Sequence, residues 1–90
     1  QLFVIFGWFE NMFALCLIMI KPGTVDKVTH LLLKKHNTIK DVMPVTGRAD
    51  VCVLLQGSLG DMNTTVIEFK KIKDIVSTET LVEVEVDLGW

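Results

Sequence analysis

The chain has 90 residues, half of them apolar, with two cysteines, no tyrosine and a formal charge of −2. That length holds one core and not two, and nine Lys and Arg against eleven Asp and Glu exclude a basic domain built around phosphate backbone. A charged fraction of 22 % excludes a disordered tail, the lack of a C-x-x-C pair argues against zinc or dithiol chemistry, and a mean hydropathy of +0.46 implies apolar surface covered by a partner.

Residues 1–20 contain sixteen apolar residues, but Glu10 and Asn11 interrupt the window, and a carboxylate there is expensive in hydrocarbon. No Lys or Arg precedes the run, so it lacks the basic start of a secretory signal. The expectation is a cytoplasmic protein with no membrane segment. Residues 1–11 are set apart from a domain over 12–90, with three readings open for them: an upstream extension, an expression remnant or an extra edge strand.

Met12–Ile20 is a continuous apolar run ended by Lys21-Pro22-Gly23, which predicts a strand buried on both faces. Thr24 is suited to an N-cap and Asp26 to the first helical turn, while Val25, Val28 and Leu32 recur at helical spacing. That helix is predicted to reach residue 35 or 36, with Lys34 and Lys35 against its negative end and Asn37 as a left-handed terminator. Ile39–Thr46 reads as a strand, and Pro44 inside it requires either a sheet edge or a bulge at that point. Thr46-Gly47-Arg48 predicts a tight hairpin into Ala49–Gln56, whose centre at 51–55 is again apolar on both faces. Ser58 with Asp61 forms a capping-box pattern for a second helix. Met62, Val66 and Phe69 line one face of that helix, and Lys70, Lys71 and Lys73 complement its C-terminal dipole. The last strand is predicted at Thr80–Asp87, where Val82, Val84 and Val86 alternate with Glu83, Glu85 and Asp87.

Strand–helix–strand–strand–helix–strand is the α+β, ferredoxin-like βαββαβ order: a four-stranded antiparallel sheet with both helices on one face. The first and third strands are then central, and these are the two doubly apolar ones. Nothing in the chain covers the other face of the sheet, which points to a dimer through it or through an edge.

Three segments carry a resemblance. Met-Phe-Ala-Leu-Cys-Leu-Ile-Met-Ile-Lys-Pro-Gly, Val-Thr-Gly-Arg-Ala-Asp-Val and Val-Ser-Thr-Glu-Thr-Leu-Val resemble, in that order, the ACT-like effector-binding domain of the Lrp/AsnC family of bacterial and archaeal feast/famine regulators. The resemblance spans about residues 12–87. It implies a domain that dimerises in a barrel-like manner, assembles to tetramers or octamers, and binds free amino acids between dimers. Family transcription factors join this domain to an N-terminal helix-turn-helix, and residues 1–11 are too short to hold one. The expectation is a stand-alone, non-enzymatic sensor with no cofactor and no direct nucleic-acid contact, acting through partners or by co-assembly with full-length relatives.

The resemblance places the ligand at Thr46, Gly47, Arg48 and Asp50, and at Thr78 and Thr80. Backbone N–H groups of a glycine turn suit an α-carboxylate and Asp50 suits an α-ammonium. The bland alternative is a hairpin glycine beside solvated Asp50 and Arg48. Thr78 and Thr80 are two apart in an extended segment, so their hydroxyls share a side, with Glu79 pointing the other way; strand propensity alone also explains them. His30 and His36 suit a helix surface and a helix end, with no metal expected, and Cys16 and Cys52 are expected as buried apolar side chains on neighbouring strands. Three alternatives remain: a small monooxygenase-type enzyme using His30 or His36, an RNA-binding sheet, and a ligand-free assembly module. The RNA reading lacks its stacking aromatics, since Ala49–Gln56 has none and Met12–Ile20 has only Phe13.

Overall fold

A computed structural model describes residues 12–34 and 37–84. In chain order the elements are β1 (Met12–Ile20), α1 (Val25–Leu33), β2 (Ile39–Pro44), β3 (Val51–Gly57), α2 (Leu59–Phe69) and β4 (Ile75–Val82). The strands form one antiparallel sheet in the order β2-β3-β1-β4. This is the ferredoxin-like βαββαβ fold, with the two apolar strands β1 and β3 at its centre.

Although every residue of β1 is apolar, the pleat sorts them. Met12, Ala14, Cys16, Ile18 and Ile20 are buried, and they form one core with Val51, Val53 and Leu55 of β3, Val28 and Leu32 of α1, and Met62 and Phe69 of α2. Both helices therefore lie on the same face. The odd-numbered residues point the other way, where Phe13, Leu15 and Met19 keep 43, 38 and 37 % of their surface exposed. Register adds Cys52 and Leu54 of β3, Met43 of β2 and Leu81 of β4 to this second face. Among the described residues one side of β1 is buried, and the two-sided burial expected of it is not met by them.

The second helix starts as expected, with Ser58 Oγ accepting from the Asp61 N–H at 3.0 Å. The first does not. Thr24 turns its hydroxyl back to donate to the Lys21 carbonyl at 2.8 Å and makes no side-chain cap, because the Pro22-Gly23 turn holds that carbonyl within its reach. α1 ends at Leu33, short of the expected 35 or 36, and those two residues lie outside the described ones. Asn37 is not left-handed: among the described residues positive φ occurs only at Gly23 and Gly47. Pro44 ends β2 on a sheet edge, and the register shift of that strand falls at Ile39–Asp41 instead.

The largest displacement is β4, which starts at Ile75 rather than Thr80 and ends at Val82. Its pairing with β1 runs from Ile20↔Ile75 to Ala14↔Val82, so Ser77, Glu79 and Leu81 satisfy backbone groups of a central strand. That long-range demand outweighs the cleaner local alternation further on. Glu85, Val86 and Asp87 of the expected strand lie outside the described residues. Asp74, buried before β4, ties this corner together. Its carboxylate takes the Lys27 ammonium at 3.2 Å and its carbonyl accepts from the Lys21 N–H at 2.9 Å.

Candidate functional site

The β2–β3 connection covers residues 45–50, and Gly47 turns it with φ +119°, a backbone that side-chain-bearing residues rarely adopt. Asp50 anchors the end of this loop onto β1. Its N–H donates to the Ile18 carbonyl at 2.9 Å, its carbonyl accepts from the Val45 N–H at 3.0 Å, and Oδ2 accepts from the Ile20 N–H at 2.8 Å. The side chain thus carries the ladder past the point where β3 begins. Asp50 is neither merely solvated nor wholly free for a ligand. An Asp50→Ala variant leaves the Ile20 N–H without its charged acceptor, at about 1.5–3 kcal/mol. The expected result is a melting temperature lower by roughly 6 °C or more in thermal unfolding.

Arg48 is not a solvated hairpin arginine. Its Nη2 donates to Glu79 Oε1 at 2.8 Å, reaching from the loop to the opposite edge strand. Glu79 is opposite Leu17 in the register, so the pair borders the open face of the sheet. With side-chain exposures of 77 and 49 %, it is a surface pair that contributes little to stability and can exchange partners. Glu79 is the residue that sequence reasoning passed over. Two-residue alternation places it on the far side from Thr78 and Thr80, as expected, but no local signal links it to an arginine 31 positions away.

Thr78 and Thr80 do share a side. They pair with Ile18 and Cys16, both core residues, so both face the helices and not the Arg48–Glu79 pair. Thr80 Oγ1 donates to Cys16 Sγ at 3.5 Å and lines a cleft of about 520 Å³ with Leu59, Met62, Asn63 and Val66 of α2 and Val82 of β4. Thr78 lines a separate, smaller cleft. Through Ile18, Thr78 lies two strand spacings, about 10 Å, from Val51. Within one copy the six candidates therefore do not converge. Gly47, Arg48 and Asp50 share one loop with the exposed Thr46, while the two threonines of β4 open onto two clefts on the helical side.

Burial pushes the Cys16 thiol up, against the downward pull of the Thr80 hydroxyl, with Cys52 adding to the rise and the Lys70 charge opposing it. It is a protonated, unreactive core group at neutral pH. Cys52 pairs opposite Leu17, so the two cysteines sit on adjacent strands but opposite faces, and both are free. His30 Nδ1 donates to the Asp26 carbonyl at 2.8 Å on the exposed side of α1, and His36 lies outside the described residues. Among the described residues no group of three or more His, Cys, Asp or Glu is placed to hold a metal ion, and no helix is long and apolar enough to cross a membrane.

No family model and no curated protein sequence matches the chain. Solved structures do match. FFRP-DM1 superposes with a TM-score of 0.74 at 24 % identity, over 81 % of this chain and 99 % of that one. AsnC of E. coli gives 0.69 at 17 % identity, over 89 % of this chain and 55 % of AsnC. The transcriptional regulator NMB0573 of Neisseria meningitidis, solved as a complex with L-Met, gives 0.70 at 9 % identity, over 82 % of this chain and 50 % of the regulator. The chain thus spans nearly all of the first and about half of the other two. At these identities the likeness establishes the fold, and it is the fold of regulator-type proteins.

Proposed function

We propose that this chain, whose fold is that of the Lrp/AsnC-type effector domain, is a non-enzymatic cytoplasmic regulatory module that dimerises and binds a free amino acid. The observation that carries the ligand is the Arg48–Glu79 pair beside Gly47. A zwitterion carries both charges that this pair carries, so it can replace the pair's internal bond with two of its own. Arg48 and the Gly47 N–H then take the α-carboxylate, and Glu79 takes the α-ammonium. Asp50 holds the Ile20 N–H with one oxygen and has the other left for the same ammonium. Thr46 borders the loop, whereas Thr78 and Thr80 face the helices, so a ligand touching all six is shared between copies. The complex of NMB0573 with L-Met supports an amino acid as the ligand class. Assembly to a tetramer or octamer, or with longer relatives, belongs to the same reading. The apolar sheet face that the described residues leave exposed supports the dimer.

The test is thermal unfolding against each of the twenty amino acids, run on the parent and on Arg48→Ala. A ligand at about 100 times its dissociation constant adds roughly 2.7 kcal/mol to stability. The expected result is a selective rise for one side-chain class, weakened at least tenfold in ligand affinity by Arg48→Ala. A flat screen on a folded dimer overturns the sensor and leaves an assembly module without a ligand. An identical rise in both proteins keeps the sensor and moves its site off the loop.

A further inference from the structure

We propose that the cleft between the C-terminal end of α2 and the start of β4 is a second site, for a small oxyanion, held by the Lys70 ammonium and the Thr78 hydroxyl. The cleft measures about 290 Å³ and is lined by Lys70, Ile75, Val76, Ser77 and Thr78. It contains a cation, the Thr78 hydroxyl and apolar flanks, and among the described residues no acidic side chain lines it.

The sequence around it is basic. Lys70, Lys71 and Lys73 fall within four positions of a chain whose overall charge is −2. A neighbouring acid, Asp74, is already engaged by Lys27 at 3.2 Å. Helix capping does not account for Lys70. The carbonyls of Val66, Glu68 and Phe69 already accept from the backbone N–H groups of Lys70, Lys71 and Ile72.

Thr78 supplies a second donor. The Glu83 N–H donates to the Phe13 carbonyl, and strand period two then turns the odd-numbered N–H groups of β4 toward β1. The N–H of Thr78 consequently points to the free edge of the sheet, beside its own hydroxyl. A cation and a hydroxyl against apolar Ile75 and Val76 favour a compact anion with several acceptor oxygens, which carboxylates and phosphates both provide.

The test is calorimetric titration with inorganic phosphate and, separately, with succinate at matched ionic strength, on the folded parent and on Lys70→Gln, Lys70→Arg and Lys71→Gln. Binding of either probe in the parent is expected, weakened about tenfold or more by Lys70→Gln, retained in Lys70→Arg and little changed in Lys71→Gln. The probe that binds identifies the source of the oxyanion, phosphate or carboxylate. Amide shifts at Thr78 in NMR spectra of the same titrations place the ion. Equal binding by parent and Lys70→Gln, or no binding of either probe, overturns the site. Because Arg48 lies on the other face of the sheet, Arg48→Ala is expected to leave this binding unchanged, so failure here and failure of the amino-acid reading are separate outcomes.

Discussion

A Leu15→Glu variant is expected to be monomeric at concentrations where the parent is a dimer. Leu15 sits on central strand β1, opposite Leu54 of β3 and Leu81 of β4, in the middle of the face that the helices leave bare. Phe13, Leu17 and Met19 extend this surface along β1, and Cys52 and Met43 extend it sideways. A face of that composition is stable in water only when something covers it, and a two-fold axis lets a second copy do so. The same axis brings each substitution in twice, so two unpaired carboxylates enter one dry interface. An uncompensated buried charge costs about 3–5 kcal/mol, which raises the dimer dissociation constant by at least roughly a hundredfold. Sedimentation equilibrium reads this directly. Circular dichroism should stay parental, because Leu15 points away from the intrachain core. Leu33→Glu, on an exposed position of α1, serves as the control and should leave the dimer intact. If Leu15→Glu also remains a dimer, the contact lies elsewhere, and the free edge of β4 becomes the next surface to test.

The architecture was legible because patterning and punctuation agreed along most of the chain. Lys21-Pro22-Gly23 stops β1, Ser58 with Asp61 starts α2, and the doubly apolar runs mark the two central strands. β4 was misplaced for a physical reason. Val82 to Asp87 alternates perfectly as a local pattern, whereas Ile75 to Val82 is a strand because β1 needs a partner along its full length. Local sequence carries no information about that need. The candidate site was legible as residue types on a loop, but not as contacts. Gly47 was read correctly as the turn residue, since positive φ selects glycine within the segment itself. Asp50 and Arg48 were read as ligand-binding or solvated side chains, and within the chain both have partners as well: the Ile20 N–H lies 30 positions away and Glu79 lies 31. Contacts at that separation follow from strand order, which comes out only once the register is known.

Phe69→Ala is expected to be the most damaging single substitution in the described chain. Phe69 is the last residue of α2, fully buried, and belongs to the core that also holds Ile18, Val28, Leu32, Val53 and Met62. Truncating a buried phenylalanine costs about 3–5 kcal/mol, transfer and cavity terms together. At about 0.05–0.15 kcal/mol per residue, a 90-residue chain has roughly 5–13 kcal/mol in total, so this loss is a large share of it. The melting temperature should fall by more than about 12 °C. Comparison with Leu15→Glu separates the two faces of the sheet. If one face builds the fold and the other builds the dimer, Leu15→Glu removes the dependence of the melting temperature on protein concentration while the monomer still unfolds cooperatively. Phe69→Ala, by contrast, lowers the transition at every concentration, and partial recovery as concentration rises shows the dimer stabilising a weakened protomer. A Phe69→Ala variant that melts with the parent would mean that α2 does not hold its buried face against β1. That result would also remove the wall of the 520 Å³ cleft beside Thr80, since Met62 and Val66 reach it from the same helix.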